Sequence, residues 1–463
     1  MFYDIVLVGA GPANVYAAYE AISKNSNLKI LMIDKGKPLS DRNCPIDGNR
    51  IPTCIHCPSC SIMNGFGGCG SFSDFKFPIT NDFGGTLWTK IGKDASLSLQ
   101  KKVDRINCEI LDNKIKETPL LWKTTPELKK ICTQNSLHLM DAEIRHIGTD
   151  NGKVLMAELY EFLRANGVNF IFGEDVNFID KNNDTFDLRV GSEHISASKV
   201  VVAVGRSGAH WLGDLCKKHQ IPTKANRVDI GVRVELPAEV FSDITDKVYE
   251  SKIVYTTHKY QDKVRTFCMN PYGFVVNENT NGIVTVNGHS NSEGGEKSKN
   301  TNFALLVSQH FTDPFNNSND YGESIVKLSN MLGGGVIVQR LGDLERGQRS
   351  TKERIDRSTV IPTLKACPGD LSLVLPKRIL DDIIEMLHAL DKVAPGTAND
   401  DTLLYGVEVK FYNMEVEVDD KLKVPFIDGL YIIGDGSGVT HSLSQAAASG
   451  IYVMDDILGG QIE

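Results

Sequence analysis

The beginning of the chain constrains the fold more than any other part. "YDIVLVGAG" is a short, continuous apolar run of the kind that forms a buried parallel strand. It is followed by "GPANVYAAYEAISKN", whose apolar residues have helical spacing, and then by "LKILMIDKG", which resembles a second buried strand in composition. Strand, glycine turn, helix and strand in this order predict a βαβ unit.

The turn of this unit carries the residues that a dinucleotide requires. Gly9 permits a tight turn, and Gly11 lets the backbone approach a pyrophosphate at the N-terminus of the helix. Asp34, at the end of the second strand, can accept hydrogen bonds from an adenosine ribose. The third glycine position is occupied by Asn14, which we expect to loosen the packing of the helix on the strand. The pattern therefore predicts a dinucleotide site.

The remaining chain predicts a discontinuous first domain. A Cys- and Gly-rich region, 40–145, interrupts the alternation of strands and helices, and within it Thr125 and Pro126 predict the start of a short helix. Alternation resumes in "GKVLMAELYEFLRANG" and "SKVVVAVGRSG" and returns near the end in "GLYIIGDGSG". From about Arg227, segments such as "RVDIGVRVEL" alternate polar and apolar residues and predict a second domain consisting mostly of sheet.

Composition limits the class of protein. A chain of 463 residues with 41% hydrophobic and 24% charged residues is expected to form two or three structural units with a sizeable core. The net charge of −9 argues against an extended nucleic-acid-binding surface. No apolar run approaches the about 18 residues of a membrane span. The first strand begins too early to leave room for a signal peptide, and scattered cysteines favour a reducing compartment, so we expect a cytoplasmic protein.

Three glycine segments, "GAGPA", "VVVAVGRSG" and "GLYIIGDGSG", resemble those of the two-dinucleotide-binding-domain flavoproteins and occur in the same order. The resemblance implies an α/β fold with a discontinuous, GR2-type, Rossmann-like FAD-binding domain formed by 1–39, 146–225 and 400–463. It implies that 40–145 folds over the cofactor and that 226–399 forms a mixed, mostly β substrate or cap domain. It also implies FAD-binding positions at Gly9, Gly11, Pro12, Ala13, Asn14, Asp34, Lys35, Gly67, Gly68, Ser71, Val176, Gly205, Asp435, Gly436, Thr440 and Leu443.

Longer motifs narrow the resemblance. "CPSCSIMNGFGGCGSFSDFKF" and "RTFCMNPYGFVV" are similar to motifs of a poorly characterised group of bacterial and archaeal FAD-dependent dehydrogenases. In the group's usual "RTFCMCPGG", Asn270 replaces a cysteine and Tyr272 a glycine. In "GFGGAGAFSDGK", Cys69 replaces an alanine and Phe75 a glycine. Because these changes lie within motifs, the substrate need not be that of the relatives.

The cysteine cluster leaves several interpretations open. Cys54, Cys57 and Cys60 form a CxxCxxC pattern that can supply ligands to an iron–sulfur cluster or to zinc, with Cys44 or Cys69 as a fourth ligand. The same thiols could exchange electrons with a flavin. They could equally be inert thiols in a glycine-rich loop. We favour no bound metal.

Three residues are candidates for catalysis. The resemblance implies that His441 lies near the flavin N1–C2 edge, where it could stabilise the reduced flavin or move a proton, although a capping or surface histidine explains it equally well. Cys69 lies in the glycine loop, and Cys268 is expected near the substrate face of the flavin, with a buried structural thiol as the alternative. Polar contacts to the substrate are expected from Arg265, Asn270 and Tyr272.

The resemblance, together with these residues, implies an FAD-dependent oxidoreductase that transfers a hydride between flavin N5 and a small polar substrate. An attractive version is the oxidation of a C–N bond in an amine or amino-acid-like group, since the resembled superfamily contains many amine oxidases. One alternative is an electron-transfer or thiol-redox flavoprotein that uses the cysteine cluster, with or without an iron–sulfur centre. A second is a flavoenzyme that modifies a nucleic-acid base. The expected partners are a small-molecule substrate and an electron donor or acceptor, and the sequence does not predict an oligomeric state.

Overall fold

The computed structural model describes the chain except for Ser26, 46–54, His56, Thr118, Tyr249, Asn281, 291–295, Asp313, Asn316 and 460–463. Its α-helices are Pro12–Lys24, Trp88–Ile91, Lys93–Leu111, Pro126–Gln134, Thr149–Ala165, Ala209–Lys218, Ala238–Thr245, Ser318–Gly333, Leu341–Glu345, Lys352–Asp356, Lys377–Asp391 and Leu443–Ile457. Its β-strands are Phe2–Val8, Ile30–Asp34, Lys76–Ile79, Leu121–Lys123, Leu137–Leu139, Glu143–His146, Asn169–Phe172, Val176–Asn182, Thr185–Val190, Glu193–Val202, Thr223–Lys224, Val228–Pro237, Ile253–Thr256, Lys263–Asn270, Phe274–Thr280, Ile283–His289, Asn300–Gln309, Ile337–Arg340, Cys367–Pro368, Leu403–Phe411, Glu415–Val416 and Leu430–Ile432.

The chain forms two compact units. The first consists of Met1–Leu121, Ala142–Lys224 and Asn413–Glu463, and the second of Trp122–Asp141 and Ala225–Tyr412. The predicted boundary at residue 400 differs from this division, because strand Leu403–Phe411 hydrogen-bonds to strands of the second unit. Part of the predicted insertion differs too, since strand Leu137–Leu139 pairs with Ile253–Thr256 and so belongs to the second unit.

The first unit is built on a parallel sheet that continues the βαβ unit. Strand Phe2–Val8 lies between Ile30–Asp34 and Glu193–Val202, and all three run parallel. Asn169–Phe172 extends one side, and Leu430–Ile432 pairs with the end of Glu193–Val202 on the other. An antiparallel hairpin, Val176–Asn182 with Thr185–Val190, pairs with the beginning of Glu193–Val202. The apolar strands predicted from the sequence are therefore central strands that are buried on both faces.

Two helices pack closely against each other in this unit. Pro12–Lys24 follows the first glycine turn, and Leu443–Ile457 follows the last one. A Cβ atom placed on Gly450 would lie 1.9 Å from the carbonyl oxygen of Ala13, so only glycine permits this approach. The close packing brings the first and last segments of the chain together.

The second unit contains an eight-stranded sheet that is antiparallel except for the pairing of Ile337–Arg340 with Cys367–Pro368. Strand Val228–Pro237 lies within this sheet between Leu403–Phe411 and Asn300–Gln309. Its alternate residues Val228, Ile230, Val232 and Val234 belong to a core that includes helix Lys377–Asp391. The intervening residues Asp229, Arg233 and Glu235 are fully buried, which gives the sheet a polar face opposite the apolar one.

The α/β fold class predicted from the sequence is confirmed: a parallel α/β sheet in one unit accompanies a mixed, sheet-rich second unit. No helix in the described part of the chain is long and apolar enough to cross a membrane.

Candidate functional site

Asp34 organises the first glycine turn in the first unit. Its carboxylate accepts hydrogen bonds from the backbone N–H groups of Ala10, Gly36 and Gly65, each at 2.8 Å. An ionised carboxylate offers about four acceptor positions, so one remains for a ribose hydroxyl. The predicted ribose-binding residue thus also connects the turn to the Cys- and Gly-rich loop.

Asn14, the residue at the third glycine position, does not loosen the helix as we expected. Its Nδ2 atom donates to the carbonyl oxygens of Val8 at 3.0 Å and Gly9 at 2.8 Å. The side chain is fully buried, and its Oδ1 atom has no hydrogen-bond partner within the described structure. Asn14 therefore fastens helix Pro12–Lys24 to the end of the first strand.

The glycine-rich loop lies directly against the first turn. The N–H of Gly67 donates to the carbonyl oxygen of Ala10 at 2.7 Å, and a Cβ atom placed on Gly68 would lie 3.2 Å from the Cα of Gly11. Ser71 donates its hydroxyl to the carbonyl oxygen of Phe66 at 3.0 Å. The structure thus brings the predicted loop residues to the predicted pyrophosphate-binding turn.

Arg42, which the sequence analysis missed, holds this loop in place. Its buried guanidinium donates to the backbone carbonyl oxygens of Ser61, Ile62 and Phe66 and lies 4.8 Å from the ring centroid of Phe72. Burial lowers the pKa of Arg42 to about 10, an effect that nearby Asp34, Cys69 and Cys60 partly oppose. No motif pointed to Arg42, because its acceptors are main-chain atoms about twenty residues further along the chain.

The C-terminal segment joins the same region. A Cβ atom placed on Gly436 would lie 3.2 Å from the backbone nitrogen of Gly205, which brings two predicted FAD-binding positions together. Thr440 donates its hydroxyl to Asp435 at 2.9 Å. Asn413, also missed by the sequence analysis, donates to the carbonyl oxygens of Gly205 at 3.2 Å and Asp435 at 3.0 Å. Asn413 therefore links the middle and C-terminal glycine turns.

The other predicted positions of the first unit have identified contacts. Val176 accepts a hydrogen bond at its carbonyl oxygen from the indole of Trp211 at 2.6 Å, and half-buried Lys35 donates to the carbonyl oxygen of Ser207 at 3.2 Å. The side chain of Leu443 reaches Gly70, where a Cβ atom would lie 2.8 Å from it. His441 is half-buried, and its backbone N–H donates to the carbonyl oxygen of Gly84 at 2.9 Å.

The residues around the first turn fit an FAD pyrophosphate. A Cβ atom placed on Gly11 or Gly205 would meet no atom within 4 Å, so the backbone there faces open space. Helix Pro12–Lys24 has no side-chain cap at its N-terminus and no acidic residue in its first turn. The positive end of the helix dipole therefore remains available to an anion.

The cysteine cluster is only partly described. Cys54 and His56 lie outside the described residues, while Cys44, Cys57, Cys60 and Cys69 are free thiols of intermediate exposure. Within the described ranges, no group of three or more His, Cys, Asp or Glu side chains is arranged to hold a metal ion.

The predicted substrate residues belong to the second unit, and the structure gives them different surroundings. Arg265 forms an ion pair with buried Asp229 and donates to the hydroxyl of Tyr412 at 2.8 Å. Burial alone would raise the pKa of Asp229, but Arg265 and Arg227 lower it well below its ordinary value. Tyr272 is partly exposed and has a φ of 52°, in the left-handed region.

Cys268 lies in a β-bulge. The register between strands Lys263–Asn270 and Asn300–Gln309 shifts after Phe267, and Cys268 has a φ of 46°. Its carbonyl oxygen accepts hydrogen bonds from Arg233 at 2.9 Å and Asn270 at 3.0 Å. Arg233 in turn forms a two-pronged ion pair with Glu408, with both distances 2.7 Å. A buried ion pair thus supports a strained backbone position, a feature often found near functional sites.

Comparison with known proteins agrees with this assignment of units. Residues 227–411 match the sequence family described as "FAD-dependent protein, C-terminal domain-like". The match supports the prediction of FAD as the cofactor, whereas the narrower dehydrogenase group is not confirmed. A search of curated proteins found no significant match.

Solved structures give distant likenesses. Glycine oxidase from Geobacillus kaustophilus is 11% identical, with a TM-score of 0.44 over 99% of this chain and 95% of that one. NikD, an unusual amino acid oxidase essential for nikkomycin biosynthesis, is 12% identical, with a TM-score of 0.41 over 99% and 94%. A flavoprotein/dehydrogenase from Cytophaga hutchinsonii is 10% identical, with a TM-score of 0.41 over 100% and 80%. We draw no argument about substrate or mechanism from likenesses this distant.

Proposed function

We propose that this protein is an FAD-dependent oxidoreductase that exchanges a hydride with a small polar substrate and oxidises a C–N bond of an amine or amino-acid-like group. The observation that carries the cofactor assignment is the contact of the glycine loop with the first turn, where Gly67 hydrogen-bonds to Ala10 and Gly68 lies against Gly11. When bound, FAD would supply the two-electron acceptor. The chain's own contribution is to bind and orient the cofactor and the substrate.

In the first unit, open backbone at Gly11 and Gly205 and the uncapped helix N-terminus support binding of the pyrophosphate. Asp34 supports binding of the ribose. Asp435, held by Thr440 and connected through Asn413 to Gly205, supports binding of the rest of the cofactor. Cys69, Cys268 and His441 remain proposed catalytic positions, and Arg265, Asn270 and Tyr272 remain proposed substrate contacts.

A single glycine substitution tests the cofactor assignment. Gly11→Val adds a side chain where a Cβ atom would meet no protein atom, so the fold is expected to persist while bound FAD is lost. Flavin absorbance and circular dichroism of the purified variant measure the two effects separately. The matched control is Gly213→Ala, a helical glycine in the same unit, which is expected to keep its flavin. A wild-type protein that stays colourless after reconstitution with FAD would contradict the proposal.

The C–N chemistry needs its own experiment. Anaerobic flavin-loaded protein is mixed with primary amines, amino acids and the corresponding hydroxy acids, and loss of flavin absorbance is followed. Reduction by amines or amino acids and not by hydroxy acids is the expected result. Reduction by hydroxy acids alone would replace C–N oxidation with C–O oxidation.

A further inference from the structure

Residues 64–68, which we call the loop core, lie between two glycine turns of the first unit. The N–H of Gly67 donates to the carbonyl oxygen of Ala10 in the first turn at 2.7 Å. The side-chain oxygen of Asn64 accepts a hydrogen bond from the hydroxyl of Ser207 in the middle turn at 2.7 Å. The loop core is therefore tied to two of the turns that we expect to bind FAD.

Close packing fixes one side of the loop core. A Cβ atom placed on Gly65 would lie 2.3 Å from the carbonyl oxygen of Lys37, and one placed on Gly36 would lie 2.3 Å from the backbone nitrogen of Gly65. Gly65 has a φ of 105°, in a region that favours glycine. Its N–H also donates to Asp34 at 2.8 Å. The backbone of Gly65 can thus move little toward the end of the second strand.

The carbonyl groups of this segment and of the residues just before it are held by Arg42. Its buried guanidinium donates through Nε to Ser61 at 2.9 Å, through Nη2 to Ile62 at 2.8 Å and through Nη1 to Phe66. The ring of Phe72 lies 4.8 Å from the guanidinium carbon and covers one face of the group. A planar guanidinium can reach three acceptors in fixed directions, whereas the compact ammonium group of lysine cannot match this arrangement.

The carbonyl group of Phe66, to which Arg42 donates, is joined by one peptide bond to the N–H of Gly67. A displacement of Phe66 therefore moves Gly67 and Gly68 with it. A Cβ atom placed on Gly68 would lie 3.2 Å from the Cα atom of Gly11, and one placed on Gly11 would meet no atom within 4 Å. The loop core thus borders the open space at Gly11 in which we propose that the pyrophosphate binds.

We infer that Arg42 is a positioning residue for the cofactor. Its three donor groups are directed at main-chain carbonyl oxygens, so its effect reaches the pyrophosphate through the backbone of the loop core. A loop core that is already ordered reduces the entropic cost of binding FAD. The inference rests on the proposed function for the identity of the cofactor, and it adds a residue that determines how tightly the cofactor is held.

The rate of FAD release from the flavin-loaded protein tests this role. Loaded wild type, Arg42→Lys and Arg164→Lys are diluted, and the rise of flavin fluorescence measures release. Arg42→Lys is expected to release FAD about tenfold faster, because an ammonium group cannot hold all three carbonyl groups. Arg164→Lys is the matched control. Exposed Arg164 pairs with Glu161 on helix Thr149–Ala165, so its replacement is expected to leave the release rate unchanged.

Phosphorus NMR of the bound FAD separates positioning from a general loss of stability. The pyrophosphate resonances are expected to shift in Arg42→Lys and to keep their wild-type positions in Arg164→Lys, because only the first substitution moves the backbone beside the pyrophosphate. Faster release with unchanged resonances would show a structural role alone and overturn the inference. An unchanged release rate in Arg42→Lys would overturn it as well.

Phe72→Leu is the second variant and decides if Arg42→Lys fails to fold. It removes the ring over the guanidinium and keeps Arg42 itself, so about threefold faster release and shifted pyrophosphate resonances are expected. Wild-type release and resonances in Phe72→Leu would then overturn the positioning role. A wild-type protein that retains no FAD would contradict the proposed function, whereas a loaded wild type whose release is unaffected by these substitutions would contradict only the role of Arg42.

Discussion

The ring of Phe75 lies directly against Gly152 in the first unit, so closely that a Cβ atom placed on Gly152 would be 1.9 Å from the Cδ2 atom of Phe75. Phe75 has a φ of 48°, in the left-handed region that favours glycine. A glycine would adopt this backbone conformation without strain. Here the strained backbone carries a buried aromatic ring, and the glycine of helix Thr149–Ala165 provides the space for it.

We expect Gly152→Ala to destabilise the protein by about 1–3 kcal/mol, because overpacking against Phe75 outweighs the usual gain of about 0.5–1 kcal/mol from replacing a helical glycine. Gly213→Ala is the control, since the nearest atom to its added Cβ is the flexible end of Met414 at 3.3 Å. Urea unfolding of both variants measures the difference. Equal stabilities of the two variants would contradict the packing argument.

Because Arg233 and Glu408 form a buried ion pair, we expect the effects of substituting the two residues on stability to be strongly coupled. Either Arg233→Met or Glu408→Leu leaves one buried charge without its partner and is expected to cost about 3–5 kcal/mol in the free energy of unfolding. The double variant is expected to recover much of this loss, because it removes both charges. Denaturant unfolding of the wild type, both single variants and the double variant completes the cycle. Additive losses would show that the two side chains do not act as a pair.

Asp382 predicts a pH dependence of stability. Its fully buried carboxyl group has a pKa raised to about 6 by burial, with neighbouring Asp262 adding to the effect. Between its ordinary value of 3.8 and about 6, the folded state therefore holds more protons than the unfolded state. The contribution of Asp382 to stability is present below this range and is lost as the pH rises through it.

We expect Asp382→Asn to remove this loss, which amounts to about 3 kcal/mol, from the pH profile of the free energy of unfolding. Asp381→Asn is the matched control, because the pKa of Asp381 is shifted in the opposite direction from that of Asp382. Burial alone would raise the pKa of Asp381, but hydrogen bonds from Lys259 and Lys377 lower it, so its contribution is lost as the pH falls. Identical pH profiles for the wild type and Asp382→Asn would refute the assignment.

The hydrogen bonds of Arg42 to the glycine-rich loop are expected to limit the reactivity of Cys60 and Cys69. Arg42→Lys keeps the positive charge, but a single ammonium group cannot reproduce the three-carbonyl arrangement that holds the loop from Ser61 to Phe66. We expect faster labelling of Cys60 and Cys69 by a thiol reagent, measured by peptide mass spectrometry. Cys108, on helix Lys93–Leu111, is the internal control, and equal acceleration at all three cysteines would indicate general unfolding instead.

Local patterns in the sequence predicted much of the secondary structure. The βαβ start of the chain appears as Phe2–Val8, Pro12–Lys24 and Ile30–Asp34, and Thr125 caps helix Pro126–Gln134 by accepting a hydrogen bond from Leu128 at 3.4 Å. These features depend on neighbouring residues, so periodicity, glycine turns and capping preferences are sufficient to find them.

Which charged residues from distant parts of the chain pair with each other depends on the tertiary structure. Alternation in "RVDIGVRVEL" shows that Asp229 and Arg233 share a face, but it cannot show that Arg265 and Glu408 neutralise them, because strand order and register determine which residues meet. No sequence pattern identifies Arg42 either, because the carbonyl oxygens that it binds belong to residues 61–66 and meet it only in the folded chain. The sequence alone thus determined where the chain turns and which strands are buried. The folded structure determined which charges became paired, because strand order and register bring residues from distant segments together.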